Sequence, residues 1–299
     1  MKVHWMKIFK LLVVLIVILN AKTANEYYQK ALEYEKNGDS INAMKFYRLA
    51  YENKIEKIEQ KPQQITTSSE LNFYGIKPYK TNYLMPVSYT KNVTNNRKNF
   101  ETQFQISALK PLFYNYFGFN ESLNIAYTQT SWWQTSANSM PFRESNYQPE
   151  IFAQIDIKNS IFNYVKVGYL HESNGKDGMD SRSWDRAYIQ TKLGSNSLKI
   201  TPRLWKTIGN KNENKDITKY AGHGDISIEY KHNNHIFTTM LKSNFHLSKS
   251  NKTSLQFTWH FPLFNEIYGY LHYYNGYGEN LLDYDKHTNK IGIGLSILK

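Results

Sequence analysis

The chain has 299 residues, a formal net charge of +12, no cysteine and 24 tyrosines. The lack of cysteine excludes a small fold that depends on disulfides, and a chain of this length can bury a core without them. The basic residues form no dense cluster, so we predict no nucleic-acid partner and favour anionic lipid headgroups as the counter-charge. Abundant tyrosine with a polar mean hydropathy is typical of outer-membrane β-barrels, although water-exposed β-sandwiches can share it.

The first segment has the composition of a secretory signal peptide. A basic start, Met1–Lys10, is followed by an apolar run from Leu11 to Leu19. That run is shorter than the roughly 20 residues that a membrane-spanning helix requires. We therefore expect residues 1–21 to be a signal peptide that exports the protein away from nucleic acid, with an uncleaved anchor as the alternative.

The next segment predicts two short helices. Apolar residues at helical spacing, such as Ala31 and Phe46, lie on both sides of Gly38. We interpret residues 22–53 as a tetratricopeptide-like helical hairpin in the periplasm, with a loosely ordered hairpin as the alternative. A single unit of this kind cannot bury its own apolar face, so it would pack on another surface or self-associate. Residues 54–71 are rich in polar and charged side chains and predict a linker.

Residues 72–299 contain many short runs in which apolar and polar side chains alternate. Clear examples are Leu123–Gln129, Leu255–Phe261 and Ile291–Ile297, and polar turns separate such runs. At roughly 10 residues per spanning strand plus turns, the segment fits about 10 to 14 strands. Strands in lipid must close on themselves, because an open edge would leave backbone groups unpaired. We therefore predict an all-β fold, an antiparallel transmembrane β-barrel.

A histidine, a serine and an acid occur in two consecutive predicted strands. Residues two apart in a strand point to the same side, so His171 and Ser173 share an apolar face with Tyr169. Asp185 lies on the more apolar face of the next strand. If the Gly175–Ser181 loop closes the two strands into a hairpin, the carboxylate can reach His171, because opposed Cβ atoms are about 5 Å apart. The pattern predicts a Ser–His–Asp arrangement on the outside of the sheet.

Seven segments make the chain resemble the outer membrane phospholipase A family. They occur in order over residues 77–299, in Lys80–Leu84, Tyr127–Gln134, Pro141–Pro149, His171–Gly175, Ser181–Trp184, Asp216–Tyr220 and Gly276–Tyr284. The resemblance implies a barrel of about 12 strands in the outer membrane of a Gram-negative bacterium. It also implies a calcium-dependent, homodimeric phospholipase with A1, A2 and lysophospholipase activity, whose substrates are phospholipids and lysophospholipids. The helical segment before residue 70 lies outside the resemblance.

The resemblance assigns catalytic roles to four residues. It makes Ser173 the nucleophile and His171 the general base, and the backbone N–H of Gly175 helps to hold the oxyanion. Asp185 completes the arrangement, although the best-known members of the family have asparagine there. A carboxylate can both orient the histidine and offset its charge, whereas asparagine can only orient it.

The resemblance also implies one calcium ion per active site, at the dimer interface. Its ligands are Ser181 and the main-chain carbonyl of Lys176 from one subunit and Ser139 from the other, and calcium prefers such oxygen ligands. Gly178 lies where some members have an acidic residue for an additional calcium, so that second site is not carried over to this chain and its presence stays open. Gln129 corresponds to a polar residue that the family buries at the dimer interface, with a contact inside one subunit as the alternative.

The sequence leaves two alternative functions open. A non-catalytic porin or adhesion barrel would share every strand pattern but would not use Ser173. A secreted soluble esterase would keep the Ser–His–Asp arrangement but not the apolar face around it. Trp132, Trp133 and Trp184 are expected to anchor the barrel at the membrane interfaces.

Overall fold

The computed structural model describes residues 26–58, 75–93, 96–157, 160–209, 213–245 and 251–298. The predicted signal peptide, residues 1–21, lies outside the described residues, and so does most of the predicted linker. The chain divides into two compact units. The first contains two helices together with residues Tyr114–Glu121, and the second contains all of the long strands.

The first unit contains a helical hairpin. Helix α1 covers residues 26–36 and helix α2 covers Ser40–Ile58, so α2 continues into the predicted linker. Gly38 has a φ of 75° in the turn between them, and Asp39 accepts a hydrogen bond from the backbone N–H of Asn42 at 3.1 Å, as an N-cap does. None of the helices in the described residues is long and apolar enough to cross a membrane.

Alternating apolar and polar residues form strands through the second unit, as the sequence predicts. The strands are β1 (Lys77–Pro78), β2 (Asn82–Lys91), β3 (Phe100–Tyr114), β4 (Glu121–Trp133), β5 (Phe142–Asp156), β6 (Phe162–Ser173), β7 (Ser183–Gly194), β8 (Leu198–Ile208), β9 (Gly224–His232), β10 (His235–Ser243), β11 (Ser254–Phe264), β12 (Ile267–Gly276) and β13 (Thr288–Ile297). A short helix, α3 (Ile217–Ala221), lies between β8 and β9.

The strands close into a barrel. Strands β2 to β13 pair in chain order, and β13 pairs back onto β2, from Asn289 opposite Lys91 to Ile297 opposite Asn82. The described residues thus form a closed ring of twelve strands, and β1 pairs with β3 beyond the end of β2. Closure leaves no strand edge unpaired in hydrocarbon. The predicted antiparallel barrel of about 12 strands is confirmed.

The two faces of the barrel wall differ in polarity. On β13, Ile291, Ile293 and Leu295 are exposed on the outside, whereas Lys290 just before them and Ser296 just after them are buried inside. Successive residues of a strand point to opposite faces, so this alternation gives an apolar outer wall and a polar interior.

Paired charges fill the interior. Lys290 is fully buried, and its Nζ lies 2.5 Å from Oε1 of Glu101 and also contacts Glu279. Arg97 contacts both of these carboxylates and lies 3.0 Å from Glu279. Buried charges are tolerated when opposite charges and hydrogen bonds compensate them, and here each carboxylate has two cationic partners.

The connection between β12 and β13 crosses this interior. The backbone N–H of Leu281 donates to Asn146 Oδ1 at 3.0 Å, and that of Leu282 donates to Glu144 Oε1 at 3.1 Å. Both acceptors are on β5, five strands away from β12 around the ring. Residues 277–287 therefore obstruct one end of the barrel, the end at which β6 and β7 are joined.

Candidate active site on the outer wall

The β6–β7 hairpin carries the candidate catalytic residues. His171 is directly opposite Asp185, and Ser173 is directly opposite Ser183. The strands are joined by residues 174–182, close to the loop that the sequence predicts, and the loop contains a 3₁₀ turn at Gly178–Asp180. The side chains of His171 and Ser173 lie on the outer face, because the alternating residue Leu170 is only 2% exposed inside the barrel.

His171 and Asp185 form a close pair. The Nδ1 atom of His171 lies 2.7 Å from Oδ1 of Asp185, and their side chains are 36% and 25% exposed. Tyr169, two residues before His171, also donates a hydrogen bond to this oxygen at 2.7 Å. Among the described residues, no hydrogen bond joins Ser173 Oγ to His171. Such bonds often form only in the complex with substrate, so Ser173 and His171 are neighbours on one face without a direct bond.

The inner face of the same hairpin is held by polar contacts. Glu172 accepts hydrogen bonds from Trp184 Nε1 at 3.0 Å and from Gln148 Nε2 at 2.9 Å, and it pairs with Arg186. These contacts fix the register of β6 and β7 behind the reactive residues. They also correct the prediction for Trp184: this side chain is 2% exposed and faces an acid of the interior instead of the membrane interface. Trp132, 3% exposed and bonded to Glu279, is likewise interior.

The side chain of Asn174 organises the loop. Its Oδ1 accepts the backbone N–H of Arg182 at 3.0 Å, and its Nδ2 donates to the carbonyl of Asp180 at 2.8 Å. Gly175 follows with a φ of +64°, and an added Cβ would lie 3.0 Å from the ring of Tyr147. Glycine is the residue that adopts this conformation without strain, so its N–H is presented in a fixed position beside Ser173. Sequence reasoning missed Asn174, although an asparagine before a glycine is a common turn signal.

The predicted calcium ligands lie in two loops. Lys176 and Ser181 are in the 174–182 loop, and Ser139 is exposed in the β4–β5 connection with a φ of 60°. Residues of both loops, among them Gln134 and Asp180, line a cavity of about 310 Å³. The structure therefore brings the two loops together at this cavity, but it does not by itself join all three ligands at one point.

The oxygen atoms of these ligands remain available. Among the described residues, the carbonyl of Lys176 and the hydroxyls of Ser181 and Ser139 accept no hydrogen bond. The Lys176 side chain is engaged, because its Nζ donates to the Arg143 carbonyl at 2.6 Å and lies 3.3 Å from Glu144. The described residues contain no group of three His, Asp or Glu side chains that could hold a metal ion. Neutral oxygens are nevertheless suitable calcium ligands, so the donor set fits that ion.

Sequence reasoning also missed an acid near this loop. Glu213 follows β8, and its Oε2 accepts a hydrogen bond from Ser183 Oγ at 3.1 Å. The neighbouring Asn214 accepts the backbone N–H of Ser183 at 3.0 Å. Because Ser183 is opposite Ser173, these contacts bring a carboxylate close to the reactive face. Glu213 is far from β6 in the sequence, so this contact cannot be recognised from local sequence patterns.

Gln129 lies on the outer face of β4. Its Oε1 accepts a hydrogen bond from Tyr127 at 3.2 Å, and its Nε2 donates to Ser131 Oγ at 3.1 Å. The contact within one subunit, the alternative named from the sequence, is therefore present. Each end of an amide can make a second hydrogen bond, so a contact of Gln129 with a second subunit stays a prediction.

A closed antiparallel barrel with an apolar outer wall and a polar interior defines the class of outer-membrane barrel proteins of Gram-negative bacteria. The sequence model of the family described as Phospholipase A1 matches residues 58–297. A Phospholipase A1 of Proteus vulgaris is 30% identical over 277 residues, which cover 85% of this chain and 94% of that protein. A Phospholipase A1 of Salmonella typhimurium is 31% identical over 241 residues, which cover 76% and 82%.

Solved structures agree with these sequence comparisons. Outer membrane phospholipase A from Escherichia coli has a TM-score of 0.70 and 30% identity, over 75% of this chain and 98% of that one. A Salmonella typhi outer membrane phospholipase dimer with bound calcium has a TM-score of 0.70 and 31% identity, over 76% and 94%. The chain belongs to the outer membrane phospholipase A family. It is accordingly a phospholipase of the outer membrane, which rules out the secreted soluble esterase.

Proposed function

We propose that this protein hydrolyses acyl ester bonds of phospholipids and lysophospholipids by a calcium-dependent Ser–His–Asp mechanism that is activated by homodimerisation. The observation that carries the proposal is the 2.7 Å contact between His171 and Asp185 on the lipid-facing wall, with Ser173 next on the same face. Its position on the outer wall gives the site direct access to lipid esters at the level of the membrane.

The catalytic steps follow from the positions of three side chains. Asp185 accepts the Nδ1–H of His171, which leaves Nε2 of the ring free to accept a proton. Ser173 Oγ gives its proton to this nitrogen and attacks the ester carbonyl carbon. His171 then gives the proton to the departing glycerol oxygen, which leaves the acyl group on Ser173. A water molecule, deprotonated by the same nitrogen, releases the fatty acid and restores the serine.

The oxyanion formed during attack needs nearby donors. The backbone N–H of Gly175, held by the positive φ of that residue, is the donor that we assign to it. A bound calcium ion would add positive charge beside the developing oxyanion. The carbonyl of Lys176 and the hydroxyl of Ser181 would hold it from one subunit, and Ser139 of the partner subunit would complete the set. Glu213 adds a carboxylate within the same region.

Dimerisation would make activity conditional. If one ligand comes from a second subunit, a monomer has an incomplete site and an intact membrane is protected from its own enzyme. The Salmonella typhi relative, whose dimer contains calcium, supports this arrangement. Gln129 supports it as well, because its amide lies on the outer wall with hydrogen-bonding capacity to spare, and polar side chains in lipid favour specific association.

The sequence also left open a non-catalytic porin or adhesion barrel, and membership of the phospholipase family argues against it. The barrel interior, as far as the structure describes it, also argues against a channel. Residues 277–287 cross the barrel, and ion pairs around Lys290 fill the space below them. The deciding test measures fatty-acid release from phospholipid–detergent micelles by the refolded protein, with calcium or with a chelator. Ser173→Ala is compared with Thr239→Ala, which removes a hydroxyl from the outer face of β10.

We expect fatty-acid release to require both calcium and Ser173. Thr239→Ala should leave the release unchanged. Release that persists in Ser173→Ala would rule out this nucleophile. Release that persists in the chelator would rule out calcium dependence. No release by a barrel that spectroscopy shows to be folded would contradict the proposed activity.

A further inference from the structure

Tyr169 has a polar group on the lipid-facing wall that the catalytic scheme does not yet use. It precedes His171 by two residues on β6, and the residue directly opposite it on β7 is Ala187. The small side chain of Ala187 leaves space above it, so the phenol ring can reach Asp185, the diagonal neighbour. The hydroxyl of Tyr169 donates a hydrogen bond to Asp185 Oδ1 at 2.7 Å.

Two donors from β6 therefore converge on one oxygen of Asp185. His171 Nδ1 and the Tyr169 hydroxyl each lie 2.7 Å from Oδ1. The other oxygen, Oδ2, faces Gly209 just after β8, where an added Cβ would be 3.2 Å away. With Oδ1 held by two donors and Oδ2 beside a residue that has no side chain, the carboxylate has a defined orientation toward His171.

The surroundings of Asp185 make the second donor valuable. On the neighbouring strand β8, the residue opposite Asp185 is the apolar Ile208. Among the described residues, the charged residue on the outer face of β8 is Lys206, which lies opposite Ala187. A carboxylate beside apolar groups is unfavourable unless it is hydrogen-bonded. A neutral asparagine would cost less free energy in these apolar surroundings than a carboxylate does. Because this chain has aspartate here, it depends more on an additional hydrogen-bond donor.

We propose that Tyr169 is a positioning residue that holds Asp185 in the orientation in which it accepts the Nδ1–H of His171. Tyr169 acts through Asp185 and contacts neither the substrate nor the reacting atoms. This inference rests on the proposed function and extends it, because it adds a residue that lies outside the Ser–His–Asp arrangement.

The first test compares kcat and KM of Tyr169→Phe with those of the wild type in mixed micelles with calcium. Phenylalanine keeps the ring and removes only the hydroxyl. We expect kcat to fall roughly tenfold with KM unchanged, because a charge-assisted hydrogen bond to Asp185 is lost. Tyr230→Phe is the matched control: it removes a hydroxyl from the outer wall on β9 and should leave kcat unchanged. Folding of each variant is verified by circular dichroism.

A double variant separates positioning from packing. In an Asp185→Ala background, Tyr169→Phe should cause no further loss of kcat, because the hydrogen-bond acceptor is already absent. An equal loss in both backgrounds would overturn the proposal and assign Tyr169 to packing. A change in KM alone would also overturn it and assign Tyr169 to lipid binding.

Ser173→Ala in the same series distinguishes this inference from the proposed function. Activity that survives Ser173→Ala contradicts the proposed function itself. Activity that depends on Ser173 but is insensitive to Tyr169→Phe contradicts only the role of Tyr169.

Discussion

Asp185 gives a quantitative prediction, because asparagine would keep an oxygen that accepts the hydrogen bond from His171, whereas alanine would remove it. Its 2.7 Å distance to His171 is typical of a charge-assisted hydrogen bond. A bond of that kind contributes about 1.5–3 kcal/mol. Asp185→Ala loses the whole bond, so kcat should fall roughly 10- to 150-fold, since about 1.4 kcal/mol corresponds to a factor of ten.

Asp185→Asn should be much milder. The amide oxygen can still accept the His171 Nδ1–H and the Tyr169 hydroxyl, but it is neutral, so about 1 kcal/mol or roughly a fivefold loss is expected. The assay is fatty-acid release at saturating calcium and substrate, with both variants shown to be folded. If Asp185→Ala retained full kcat, the orienting role would be refuted. If Asp185→Asn lost as much as Asp185→Ala, the charge would be essential and the orientation argument would fail.

Three further predictions concern the dimer, calcium and stability. Gln129→Ala should weaken dimerisation by about 0.6 kcal/mol, roughly threefold in Kd, measured by analytical ultracentrifugation in detergent; an unchanged Kd would remove Gln129 from the interface. Glu213→Gln should raise the calcium concentration for half-maximal activity by roughly tenfold, because it removes a negative charge from the region of the proposed ligands, whereas Glu266→Gln in the β11–β12 turn should not; equal curves would exclude a contribution of the Glu213 charge to calcium binding. Lys290→Met leaves Glu101 buried with one cation fewer and should lower the free energy of unfolding by about 3 kcal/mol in urea titrations; unaltered stability would contradict the pairing in the interior.

Much of the β6–β7 site can be predicted from the sequence, because strand periodicity is a local property. Placing His171 and Ser173 on one face requires only the two-residue repeat. The position of Asp185 opposite His171 follows once the intervening loop is short enough to form a hairpin, and the structure has this register. The barrel follows from the alternation of polarity together with the need to pair every strand in lipid.

Contacts between distant segments were not predictable in the same way. Glu213 reaches Ser183 only because β8 pairs with β7, and the interior pair of Lys290 with Glu101 joins residues that are far apart in the sequence. The prediction for Trp184 was wrong for a different reason, because it relied on composition and not on the alternation along the strand. Tryptophan is common at membrane interfaces, which led to the prediction of an anchor. The alternation along β7 instead puts Trp184 on the opposite face from Asp185, inside the barrel.

Ser173 is the proposed nucleophile on the outer wall, activated by His171. The most direct measurement is mass spectrometry of the folded protein after reaction with a fluorophosphonate, which modifies serines that a neighbouring base activates. We predict one label per chain, on the peptide that contains Ser173, and no label after His171→Ala. A folded wild-type protein that stays unlabelled, or a label on a different serine, would show that Ser173 is not the activated nucleophile.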